Sequence, residues 1–193
     1  MITNTINKAR QYNLPIKLSN FMFSENDFSK QLLEFFEDSN IPDPVRLSLY
    51  DYLENEGSDL KEILNYYFDH LEEQATFTPI FVYSERRQEL AIVLADLNNT
   101  PSEPGEPGSV LAYVRMSFYG EDFLCSDCSG QLSCSSCAVE VVKGSPQNAD
   151  MRDEEYDMLS IDPDMVPTDF SRLSCQTLVG SEPLMVIIRK YGQ

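Results

Sequence analysis

Apolar residues recur at helical spacing in three stretches of the first part of the chain. After Ser24, a candidate N-cap, come Phe28, Leu32, Phe35 and Phe36, and Asn40, Pro42 and Pro44 stop the pattern. Asp43 followed by Pro44 starts a second helix whose Val45, Leu49, Tyr52 and Leu53 line one face, with Gly57 as C-cap. Ser58 caps a third, in which Leu60, Ile63, Leu64, Tyr67, Phe68 and Leu71 form an amphipathic stripe. Residues 20–74 are expected to be a small three-helix bundle behind an irregular arm. The period changes near Thr76. The runs FTPIFVYS and ELAIVLADL read as two strands joined by the polar turn Glu85–Gln88. Pro101–Gly108 is an acidic loop by composition, with room to move. Ser109 then caps a helix with Val110, Leu111, Val114 and Phe118 on one face, closed at Gly120. A strand over Ala138–Lys143 breaks at Gly144. Asp150–Leu159 reads as a short helix with Met151, Tyr156 and Leu159 inward, and Leu184–Ile188 as a last strand. The order predicts an α+β domain over residues 76–193, preceded by a helical extension over residues 1–75.

Between the predicted helix and the strand at Ala138 lie four of the five cysteines, in CSDCSGQLSCSSC. Cysteines so crowded are not explained by packing, which any small apolar side chain would satisfy. A disulfide framework needs an oxidising compartment and usually a small secreted domain, and five is an odd count. A zinc site from Cys125, Cys128, Cys134 and Cys137 has two CxxC pairs. The pairs are only five residues apart, against roughly fifteen to twenty in the common zinc spacing, and Cys175 is left idle. Reading Cys128-x5-Cys134-x2-Cys137, with Cys175 as a distant fourth, comes one residue from the plant-type [2Fe–2S] spacing. The small residues Ser129, Gly130, Ser133, Ser135 and Ser136 suit a loop that curls around a cluster.

Together with MRDEEYDML and SRLSCQ further on, DCSGQLSCSSC resembles the adrenodoxin-type [2Fe–2S] ferredoxins over about residues 77–190. The resemblance implies a β-grasp fold, with Cys128, Cys134, Cys137 and Cys175 as ligands of a [2Fe–2S] cluster and Cys125 a spare thiol. It further implies that Asp153, Glu154, Glu155 and Asp157 present an acidic helix to basic patches on partner proteins. Ser160 stands where that family has a further acid.

Charge narrows the field. The formal net charge is −18 and the pI near 4.2. Such a chain lacks the cationic surface that nucleic acid or an anionic membrane surface demands, and its natural complement is a basic protein. No run reaches transmembrane length, so membrane insertion is not expected; a cytoplasmic location is expected, and its reducing environment suits unpaired thiolates. The single histidine, His70, reads as a solvated surface residue. It leaves nothing from which to build a histidine-based triad or a two-histidine Rieske centre. The expectation is an electron-transfer protein rather than an enzyme. It would carry electrons from a ferredoxin reductase to an acceptor such as a monooxygenase or the iron–sulfur assembly machinery. Backbone N–H groups of residues 126–136 would offset the charge of the cluster. Two other functions compete: a zinc-stabilised interaction module and a cluster-based redox sensor.

Overall fold

Strands β1 (Phe77–Ser84) and β2 (Glu89–Asp96) pair antiparallel along their whole length, from Phe77 opposite Asp96 to Ser84 opposite Glu89. They are the hairpin the two apolar runs predict. The structure is a computed structural model that describes residues 35, 41–47, 64, 77–117, 119–163 and 166–189. The chain divides into two units, Met1–Ala75 and Thr76–Gln193. In the first, residues 43–47 are helical, and Val45 is buried, as are the helical Phe35 and Leu64. The rest of the three-helix reading falls outside the described residues.

In the second unit, β5 (Leu184–Ile188) lies parallel to β1 on the side away from β2, with Ile80 opposite Leu184. Pro79 has no N–H to donate, and it sits just before this second pairing begins. Strand β3 (Ala138–Lys143) runs antiparallel to β5 and carries the short β4 (Ser171–Leu173) on its outer side. The order β2-β1-β5-β3-β4 makes a mixed sheet of the β-grasp kind. β4 has no apolar run to announce it. Where β3 meets β5 the register shifts between Val141 and Lys143. Gly144 then passes so close to the next segment that a Cβ there would stand 1.9 Å from the Pro183 carbonyl oxygen.

One helix packs its buried residues against one face of the sheet. In α1 (Val110–Met116) the residues Val110 to Val114 are buried, against Ile80, Val82, Val93, Val139 and Val186. Its first N–H groups, which no helix can satisfy internally, are each bonded: Val110 to the Thr177 carbonyl at 2.8 Å, Leu111 to the Ser174 carbonyl at 3.1 Å, and Ala112 to the Ser109 hydroxyl at 3.2 Å. The helix stops at Met116, ahead of the predicted Gly120. The Ser117 N–H turns back to the Tyr113 and Val114 carbonyls, and its hydroxyl donates to Val114 at 2.6 Å. Gly120, at φ 61°, instead opens the single turn α2 (Gly120–Phe123). Phe118 lies outside the described residues.

Helix α3 (Asp153–Leu159) corrects two expectations. Tyr156 is 56% exposed rather than inward, while Leu159 is buried. Glu155, grouped above with the acidic docking residues, is fully buried. Its carboxylate accepts from Arg172 Nε at 2.9 Å and Nη2 at 3.2 Å, and from the Leu173 N–H at 2.7 Å. The reason is geometric, since the helix face toward β4 must answer a buried arginine. Removing one member of such a pair strands the other charge, at a cost of about 3–5 kcal/mol. Glu155→Ala and Arg172→Met should each lower the urea midpoint of the C-terminal unit, and the double variant should lose less than the two singles combined. Strictly additive losses would show that the pair is not coupled.

Candidate metal centre

The loop that carries the cysteines is shaped by its own turns. Ser129, Gly130 and Leu132 have φ of 53°, 80° and 52°, left-handed values that curl the chain tightly. The buried Ser126 closes the curl: its carbonyl accepts from the Ser129 N–H at 3.0 Å and its hydroxyl from the Gly130 N–H at 2.9 Å. The Gln131 N–H bonds the Cys128 carbonyl, and the Asp127 N–H bonds the Ser136 hydroxyl at 2.9 Å. Part of the N–H set expected to face the cluster is therefore engaged in building the loop.

Two other segments close on this loop. The glycine-rich stretch before α1, expected to be mobile, is pinned. The Glu106 N–H bonds the Cys175 carbonyl at 2.9 Å, and the Gly108 N–H bonds Pro101 at 2.9 Å. A Cβ on Gly105 would stand 2.7 Å from the Cys175 carbonyl oxygen, and one on Gly130 would stand 2.3 Å from the Gly105 nitrogen. Only glycine permits this three-way contact of backbones. Cys175 lies in the turn after β4, held by the Gln176 and Thr177 N–H groups bonded to the Leu173 carbonyl at 2.8 and 3.0 Å.

The five thiols divide unequally. Cys137 and Cys175 are buried, Cys128 and Cys134 half-buried, and Cys125 exposed. The side chains of Cys137 and Cys175 hydrogen-bond to each other. Donation to Cys175, reinforced by burial, raises Cys137, and acceptance of that bond lowers Cys175 against the opposing effect of burial. Cys128 and Cys134 form a second bonded pair. Burial pushes Cys128 up, but the Ser133 backbone N–H, the Cys134 thiol, the Ser133 hydroxyl and the Gly130 N–H outweigh it and bring it down to about 6. Cys125 takes no part in either pair; burial raises its thiol, helped by the bond it donates to Asp127 Oδ1 at 3.3 Å.

Two pairs of thiols make a particular donor set. A single tetrahedral ion needs its sulfurs around one point. Among the described residues no group of three or more His, Cys, Asp or Glu side chains could hold a metal ion in that way. The zinc alternative also joined Cys125 to Cys137, which the structure separates into an exposed and a buried thiol. A [2Fe–2S] cluster asks for something else, two thiolates per iron with sulfides between. Pairs fit it.

Around the inner pair lies a polar relay. Gln176 Nε2 donates to the Cys175 sulfur at 3.4 Å, Arg152 bonds Gln176 Oε1, and the same guanidinium reaches Glu106 at 3.2 Å. Arg152 directly precedes α3, so the acidic helix is tied to the cysteine turn. Asp153, Glu154 and Asp157 are exposed on that helix.

Residues 108–180 match the family model of the 2Fe-2S iron-sulfur cluster binding domain. A "2Fe-2S ferredoxin" of Haemophilus influenzae is 40% identical over 69 residues, 34% of this chain and 56% of that protein. The chain thus spans little more than half the length of this curated relative. Among solved structures, a ferredoxin from Rhodopseudomonas palustris HaA2 aligns with a TM-score of 0.44 and 20% identity, over 60% of this chain and 99% of that one. A reduced putidaredoxin variant from Pseudomonas putida aligns with 0.42 and 18%, over 59% and 98%. The resemblance to the [2Fe–2S] ferredoxins read from the cysteine loop is borne out, and the cofactor of the domain is a [2Fe–2S] cluster.

Sequence reasoning missed Gly105 and the part Gln176 plays. The PSEPGEPG stretch reads as loose because nothing in composition says that its glycine touches another glycine. Replacing Gly130 by Ala should cost at least about 1–2 kcal/mol from the left-handed backbone alone. The clash with Gly105 adds to this. Thermal melting should show a lower Tm, with faster bleaching of the cluster absorbance; an unshifted melt would refute the contact.

Proposed function

We propose that this chain is a one-electron carrier of the adrenodoxin type, with Cys128 and Cys134 holding one iron of the [2Fe–2S] cluster and Cys137 and Cys175 the other. The observation that carries the reading is the division of four thiols into an outer and an inner pair. When bound, the cluster supplies reversible uptake of one electron between its diferric and mixed-valence states. The residues of the chain supply the rest. Cys137 and Cys175 anchor from the interior, and the half-buried outer pair brings the centre near the surface, where an electron can leave without a substrate pocket.

Docking is assigned to Asp153, Glu154 and Asp157, exposed on a chain of formal net charge −18. The matching partners are basic-surfaced proteins: a ferredoxin reductase as donor, and a monooxygenase or iron–sulfur assembly protein as acceptor. Association of this kind is fast, weak and salt-sensitive. The carrier is placed in the cytoplasm and is not itself a catalyst. Among the described residues no helix is long and apolar enough to cross a membrane.

Two experiments test the reading. Cys125→Ser should keep iron, acid-labile sulfide and the visible spectrum at wild-type levels, whereas Ser at position 128, 134, 137 or 175 should abolish or degrade them. Loss of the centre in Cys125→Ser would mean the ligand set is wrong. Reversing Glu154 and Asp157 to Lys should leave the spectrum intact, slow electron transfer with a basic reductase by about tenfold or more at low salt, and flatten its salt dependence. An unchanged rate would remove the docking face.

A further inference from the structure

Ser174 is held against the backbone of both inner cysteines. It directly precedes Cys175, its N–H donates to the Cys137 carbonyl at 3.0 Å, and its own carbonyl accepts the Leu111 N–H from α1 at 3.1 Å. Both backbone bonds hold it rigidly. The residue is fully buried, and its hydroxyl makes no hydrogen bond to any described group.

That condition is unusual here. The neighbouring buried hydroxyls are all engaged: Ser109 accepts from Ala112, Ser126 accepts from Gly130, Ser171 meets Thr168, and Thr177 donates to the Leu173 carbonyl. Thr78 shares it, but in β1 opposite Ala95. An idle buried hydroxyl is destabilising, a cost that alanine in the same turn would avoid. A buried donor without a protein partner, held by its backbone beside Cys137 and Cys175, has an evident recipient in a sulfur on that side.

We propose that the Ser174 hydroxyl donates to a sulfur on the Cys137–Cys175 side of the cluster and thereby raises its reduction potential. The inference rests on the electron-carrier reading above. Reduction adds one electron and moves no proton. The hydroxyl keeps its hydrogen in both states, and the bond strengthens as the sulfurs become more negative. Ser174 touches the cofactor without ligating it, so its effect is on the equilibrium for electron uptake rather than on assembly.

The test uses the full-length holoprotein. Ser174→Ala should retain iron, sulfide and the visible spectrum, while the equilibrium constant for reduction falls about tenfold, the scale of one hydrogen bond to a charged group. For a one-electron couple that is about 59 mV toward lower potential. Ser174→Thr, which keeps the hydroxyl, should restore most of the shift. Independently of any variant, electron–nuclear double resonance on the reduced wild type in light and heavy water should reveal an exchangeable proton coupling, and Ser174→Ala should lack it. An unshifted potential in an intact Ser174→Ala cluster overturns the role of Ser174 and leaves the carrier standing. Should Ser174→Ala lose its cluster, the wild-type double-resonance spectrum decides: no exchangeable coupling beyond those of backbone amides overturns the proposal. A wild type without iron and acid-labile sulfide would overturn the carrier reading itself.

Discussion

Gly105, Gly130 and Cys175 bring three backbone segments, distant in sequence, into direct contact, and the cysteine site depends on that contact. A Cβ on either glycine would overlap main-chain atoms of its neighbour. Main chain cannot yield as the end of a side chain can, so the approach is a hard constraint. Once it is met, the Glu106 N–H reaches the Cys175 carbonyl, and α1 can start where its first N–H groups find Thr177 and Ser174. The helix start, the cysteine turn and the metal loop are thereby placed by one another, and the sheet supplies the floor.

A second tie links the centre to the surface proposed for partners. Arg172 carries the buried pair with Glu155 and also donates to the Asn148 carbonyl at 2.9 Å, while the Asn148 side chain bonds the Gln176 carbonyl and the Leu178 N–H. The turn holding Cys175 is thus braced on one side by α1 and on the other by the base of α3. An acidic helix fastened in this way keeps a fixed distance from the thiols, as the proposed docking requires.

Much of this was legible in advance, for stated reasons. The hairpin, β3 and β5 were readable because their apolar runs are long and bounded by polar turns or glycine. The near-continuous runs AIVL and LMVII match strands buried on both faces, Phe81, Ile92 and Met185 on one side and Ile80, Val93 and Val186 on the other. The association of Cys175 with the cysteine loop, 38 positions after Cys137, was legible only through spacing and resemblance. Short or polar features were not. β4 is three residues with a charged centre, Glu155 is one acid among several, and only its arginine partner, 17 positions away, draws it inward. The early end of α1 escaped because a serine can terminate a helix by folding its hydroxyl onto the last turn, which leaves no glycine to mark the stop.

The graded burial of the thiols has a consequence for durability. Cys137 and Cys175 are sealed by the core, whereas Cys128 and Cys134 are half open to water. Oxidants and chelators arriving from solvent meet the outer sulfurs first, so damage has a defined starting side. With the proposed ligand set, a centre that decays from its exposed edge leaves its inner anchor in place, and the polypeptide then retains a partly built seat on which repair can begin.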